Sequence, residues 1–336
     1  MTARAMLAAV LCILGYAVVS SQGGAQAPPV PPTAIVTPNI PGVIAGGMKI
    51  LPFRITEGGT EGPVQLPDGV VVFTARTANR VWKIERDDKV TLLLENPGGP
   101  LGMGVDARGR LIATLTAPPG KARIGVIYPK GQETVLASTC DGIQINRPND
   151  LIVSTKGGVY YTDPGPTDRE VEDGYAKSDG IVCYIPPGAG KAVKVAGNIQ
   201  RPNGVQLSPD EKTLYVNESY GEYLLAFDIQ PDGTVRNRRN FAKYEIGQRK
   251  RTGSGPVQIP DGLAVDDAGR LYTTNTSIPG IQVFSPQGQT LGTINLGRGV
   301  QNLTFAGPDK KTLYIIGGGY AFKIQMLAQG IRSRAK

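Results

Sequence analysis

The stretch Ile259–Asn275, IPDGLAVDDAGRLYTTN, holds a complete structural phrase. An acidic anchor, Asp261, precedes alternating apolar positions, a D-A-G turn and a second apolar run. Period-two alternation marks a half-buried strand, and an Asp/Gly cluster between two such runs marks a tight reversal. The next segments, GIQVFSP and QTLGTINL, repeat the pattern about a Q-G turn and complete a unit of four strands. The phrase recurs along the chain as EGPVQLPDGVVVFTA from Glu61, PLGMGVDARGRLIATL around Leu101 and RPNDLIVSTKGGVYYTDP around Asn149. It returns as RPNGVQLSPDEKTLYVNES around Asn203 and VQNLTFAGPDKKTLYIIGG around Asn302. The anchors Glu61, Leu101, Asn149, Asn203, Asp261 and Asn302 stand 40 to 58 residues apart. That is the period of a four-stranded propeller blade. A TIM barrel demands a helix after each strand, and no segment offers one. The sequence therefore predicts an all-β, six-bladed β-propeller with four antiparallel strands per blade.

Composition agrees, since 45 Gly and 27 Pro without a long amphipathic segment imply many short strands joined by turns. The flanks are of another kind. Arg4, the apolar run Met6–Val19 and the A-x-A site Ala25–Ala27 read as a signal peptide over residues 1–27. The run is too short to cross a bilayer comfortably, and Leu11 ahead of Cys12 spoils a lipobox. Residues 28–47, rich in Pro and Gly, read as a tether, 48–328 as the propeller, and 329–336 as a basic tail. The expected location is periplasmic or secreted, with no stable membrane span in the mature form.

The formal net charge is +8, but its dense clusters, Arg236–Arg239 and Arg249–Arg251, fall in predicted loops without interleaved aromatics. Nucleic acid is not an expected partner. Removal of the signal leaves Cys140 and Cys183, which export would allow to pair or to remain as buried thiols. The chain has no His. That excludes Ser-His-Asp and Cys-His acyl-enzyme chemistry, and no P-loop is present.

In a propeller the innermost strands line a central channel, so residues at their entrances converge on the axis. Glu61, Asn149, Asn203 and Asp261 offer two carboxylates and two amide oxygens there. An all-oxygen set of formal charge −2 suits a hard divalent cation, Ca²⁺ ahead of Mg²⁺ or Mn²⁺, with Zn²⁺ less favoured in the absence of His and Cys ligands. Leu101 leaves one side of the ring open. Single residues of this kind often serve turns instead; four at matched positions favour a metal site.

From about Ile55 to Met326 the chain resembles the senescence-marker-protein, gluconolactonase and luciferin-regenerating-enzyme family. The motifs that carry the resemblance are EGP at Glu61, RPND at Arg147–Asp150, YYTDP to Pro164, RPNG at Asn203, SPDEKTLYV, IPDGLAVDDAGRLY and FAGPDKKTLYI. The resemblance implies a six-bladed propeller with one divalent ion, usually calcium or zinc, and activity on lactones. It carries Glu61, Asn203 and Asp261 over as ligands, Asn149 as ligand or substrate contact, and Arg147 as a contact to substrate oxygen. It supplies no role for Asn302, which spacing alone would admit as a fifth ligand.

The expected chemistry is opening of a sugar or small lactone by metal-activated water. A base must accept the water's proton. Without His that role falls to a carboxylate at the ion, and Asp261 is the first choice. Arg147 serves either a substrate oxygen or an ion pair with Asp141 or Asp150, and Asp163 either faces the channel or only forms a turn. The charged insertions Pro164–Ser178 and Tyr244–Val257 are expected to roof the channel and to select the lactone. The competing reading is a non-catalytic exported calcium-binding propeller that takes a small ligand or a protein partner. The residues leave open which lactone is opened, calcium against zinc, and the oligomeric state.

Overall fold

The computed structural model describes residues 35–55, 58–166, 169–170, 176–188, 190–245, 259–276 and 279–336. Within these, no helix forms and six four-stranded antiparallel sheets assemble as the blades of a propeller. The signal peptide and most of the two insertions lie outside the described residues. The innermost strands are Thr60–Gln65, Pro100–Val105, Leu151–Val153, Pro202–Leu207, Pro260–Val265 and Asn302–Ala306, taking blades one to six in order. Every residue in them is buried, because each strand is walled by its neighbours around the ring. The outermost strands are mostly solvated, as Val90–Glu95 and Thr290–Asn295 show. Burial thus falls from axis to rim.

Apolar faces of adjacent blades fill the spaces between the sheets. Val64 and Val72 of blade one meet Met103, Leu111 and Ala113 of blade two in one such cluster. Burial of each aliphatic side chain contributes roughly 1.5–3 kcal/mol. The ring therefore coheres through these wedges rather than through its thin outer strands.

Ring closure is the part that spacing does not reveal. Blade six takes three strands from Asn302–Ala306, Thr312–Gly317 and Tyr320–Gln325. Its fourth is Phe53–Arg54, from before blade one, paired through Phe53 with Ala321 and through Arg54 with Tyr320. Two ends of the chain are thereby sewn into one sheet.

From Ile35 onward on one side, and over 329–336 on the other, the flanks pack against the blades. Ile35–Val36 pairs with Lys49–Ile50, and Ile40, Val43 and Ile44 are buried among residues of blades five and six. Composition marks residues 28–47 as a tether, but from Ile35 onward their branched apolar side chains cover a blade edge. The basic segment 329–336 crosses the face of the propeller and enters the channel. Cys140 and Cys183 form a disulfide that ties a short hairpin to the third strand of blade three. With a sequence separation of 43, the link removes roughly 4 kcal/mol of unfolded-chain entropy on the loop-closure account.

Candidate functional site

The six anchors lie at one end of the channel, and the wall behind them follows a rule. In blades one to five a polar side chain from the second strand donates to backbone at the entrance of the next blade. Thr74 bonds the Leu101 carbonyl at 3.0 Å, Thr114 that of Asn149 at 2.9 Å and Thr162 that of Asn203 at 2.7 Å. The Asn217 amide bonds the Asp261 carbonyl at 2.8 Å, and Thr274 bonds the Gln301 carbonyl at 2.5 Å. Each is worth about 0.5–1.5 kcal/mol net. Acting in sequence, the five fix the anchor backbones against one another. In blade six Ile316 occupies the matching position opposite Asn302 and has nothing to donate. There the closure is made by side chains, with the Asn302 amide donating to Glu61 Oε2 at 3.0 Å.

The residue after an anchor is under equal constraint. A Cβ on Gly204 would lie 2.5 Å from the Asp261 carbonyl oxygen and 2.8 Å from the Leu263 nitrogen. On Gly62, whose φ is +52°, it would lie 2.2 Å from the Leu101 carbonyl oxygen. Both obstacles are backbone and cannot rotate away. Gly204→Ala is expected to cost about 2–3 kcal/mol or more through overpacking. Gly190→Ala, where a Cβ meets nothing within 4 Å, should change stability by less than about 0.5 kcal/mol. Denaturant titration of the two variants checks this, and equal stability would disprove the close approach.

Glu61, Asn203 and Asp261 converge as buried side chains, while Asn149 is half-buried and more accessible. The Asn203 amide hydrogen-bonds the Asp261 carboxylate, and its own Oδ1 is buried without a protein partner. Burial is the largest influence raising the Glu61 carboxyl to about 7, opposed by the Asn302 hydrogen bond and reinforced by the negative charge of Asp150. Burial likewise raises Asp261 well above the carboxylate range, with Glu61 adding repulsion and Arg201 opposing. Two buried, mutually repelling carboxylates beside an orphaned amide oxygen form an acceptor-rich cluster. Among the described residues no three His, Cys, Asp or Glu side chains converge as ligands. The available donor set is therefore mixed carboxylate and amide, which fits an oxygen-seeking divalent ion.

Asn302 is committed elsewhere. Its amide nitrogen holds Glu61, and its Oδ1 accepts the Leu303 N–H at 2.8 Å. Leu101 is buried in the wall and offers the ring no polar side chain.

Arg147 is half-buried at the same mouth, its Nε donating to the Gly165 carbonyl at 2.6 Å. The Asp163 carboxylate accepts the N–H groups of Asn146, Arg147 and Gly165 at 2.8, 3.0 and 2.9 Å. Asp163 therefore shapes the loop that carries Arg147. Sequence reasoning passed over Arg201, which donates to the Tyr220 hydroxyl and stands over its ring at 5.1 Å. The shared R-P-N of Arg147 and Arg201 was the available signal. It also passed over Lys336, whose ammonium bonds Asp150 behind the anchors.

A six-bladed propeller with a buried carboxylate–amide cluster at one channel mouth is the class that fold and site define. Residues 59–317 match the model of the SMP-30/Gluconolactonase/LRE-like region, and the chain belongs to that family. It is 31% identical over 280 residues to a gluconolactonase of Zymomonas mobilis, covering 76% of this chain and 75% of that one. A solved structure of a gluconolactonase from Xanthomonas campestris is 28% identical and superposes with a TM-score of 0.70, over 89% of this chain and 99% of the other. The fold also matches regucalcin of Agrobacterium tumefaciens, a calcium-binding protein, with a TM-score of 0.65 at 16% identity, over 82% and 94% of the two chains.

Proposed function

We propose that this protein is an exported, divalent-metal-dependent lactonase that opens sugar or other small lactones. The observation that carries the reading is the pairing of Glu61 and Asp261 in burial with the unpartnered Asn203 Oδ1 beside them. The likeness to gluconolactonases supports the substrate class. Glu61, Asn149, Asn203 and Asp261 would hold the ion, with Ca²⁺ preferred and Zn²⁺, Mg²⁺ or Mn²⁺ as substitutes. When bound, a divalent ion polarises an ester carbonyl and acidifies water. Asp261 accepts the proton of the attacking water, a role that its burial suits by making it a stronger base than an exposed carboxylate. Arg147 and Asn149, both half-buried, bind the polar groups of the lactone.

Export is supported by the N-terminal residues and by the disulfide, which persists in oxidising compartments. No helix among the described residues is long and apolar enough to cross a membrane. Purified protein saturated with Ca²⁺ is expected to hydrolyse members of a panel of aldonolactones and simple γ- and δ-lactones. Turnover of none, with Ca²⁺ demonstrably bound, would replace this reading by that of a non-catalytic calcium-binding propeller.

A further inference from the structure

The segment Gly330–Lys336 runs into the channel from the face opposite the anchors. Gly330 donates to the Lys310 carbonyl at 2.8 Å and bridges Asp266, at the turns of blades six and five. Arg334, itself buried, donates to the Ser208 carbonyl at 3.1 Å and to that of Leu207 at the turn of blade four. Ala335 bridges Val105 of blade two. The path ends with the Lys336 ammonium on Asp150 Oδ1 and, at 3.2 Å, on the Leu151 carbonyl of blade three. The two side chains are 0% and 1% exposed.

Asp150 adjoins the candidate ligand Asn149 and is close enough to Glu61 and Asp261 to influence both electrostatically. Its Oδ1 also takes the Leu151 N–H at 2.9 Å, while its Oδ2 is buried without a partner. A lone ammonium or a lone carboxylate in this position would be strongly disfavoured, so each requires the other. The segment thus closes the channel floor and places a fixed positive charge beneath the carboxylates.

We propose that Lys336 is a positioning residue that sets the charge of the cation site, cancelling Asp150 so that this carboxylate adds nothing to the charge that Glu61 and Asp261 present to a divalent ion. This rests on the metal reading above. A divalent ion then meets Glu61 and Asp261 without the surplus carboxylate that would compete with a substrate carbonyl. A merely structural plug and a charge-setting one predict opposite signs. Losing a structural plug loosens the site and weakens cation binding, whereas losing the countercharge leaves Asp150 facing the ion and tightens it.

Calorimetric titration of the full chain with Ca²⁺ separates them. Lys336→Met is expected to bind at least about tenfold more tightly than the wild type, or about 1.4 kcal/mol. Asp150→Asn, which leaves the ammonium uncompensated, should bind at least about tenfold more weakly. The Asp150→Asn/Lys336→Met double variant removes both charges and should return to within about threefold of the wild type, with Lys336→Arg likewise near wild type. If Lys336→Met does not fold, the double variant against Asp150→Asn decides, because neither orphan charge survives in the double. Equal or weaker binding by folded Lys336→Met, or failure of both to fold, overturns the inference. A wild-type protein that binds no divalent cation would instead remove the metal reading beneath it.

Discussion

Protein stripped of divalent ions by a chelator is expected to lose lactone hydrolysis by about three orders of magnitude and to regain it on addition of Ca²⁺. Lewis-acid assistance is worth several kcal/mol of barrier, and each 1.36 kcal/mol is tenfold. The stripped protein should also show a particular pH response. Glu61 is raised from 4.5 to about 7 in the fold, chiefly by burial, and Asp261 is likewise raised well above 3.8, chiefly by burial. Between about 4.5 and 7 the folded state then holds protons that the unfolded chain has released. A state that binds more protons is weakened as they are withdrawn, so stripped protein loses stability as pH climbs through that window. A bound cation replaces the protons and removes the effect. Thermal melts at pH 5 and pH 8, with and without chelator, measure it. A stripped protein that melts higher at the upper pH, or hydrolysis indifferent to chelation, would count against the site.

The fold was legible because each blade writes its own anchor, alternation and turn within some fifty residues. What escaped was what depends on ring closure. Phe53–Arg54 completes blade six although it lies before blade one, and two residues carry no usable period. Asn302 looks like Asn149 and Asn203 in sequence. Only the meeting of blades six and one, across 241 residues, shows its amide bound to Glu61 and thus withdrawn from the anchor set. The residue pattern identified the two carboxylates; it did not identify what confines them. Asp163 was open between channel and turn, and the three backbone N–H groups on it place it in the turn. Lys336 read as a solvated basic tail because burial of an ammonium is ordinarily prohibitive. Its partner, Asp150, is 186 residues away.

Asp261→Asn is expected to lower kcat under saturating Ca²⁺ by about 10²–10⁴ while weakening Ca²⁺ affinity by a smaller factor, about tenfold, the effect of one lost charge. The substitution preserves size and one carbonyl oxygen, so a ligand atom is retained. The main-chain carbonyl remains held by Asn217 at 2.8 Å, so the strand entrance keeps its place. What disappears is a basic oxygen able to accept a proton, and with no His in the chain no imidazole replaces it. Glu61→Gln should show the reverse balance. Glu61 is held by the Asn302 amide on one oxygen, which fixes it as a charge for the ion rather than as a free acceptor. Its loss should weaken cation binding more than turnover of the ion-saturated enzyme. Measuring kcat under saturating Ca²⁺ beside calorimetric Kd for both variants separates the roles. If Asp261→Asn loses affinity as steeply as turnover, Asp261 is a ligand alone, and the proton must leave through water or the substrate itself.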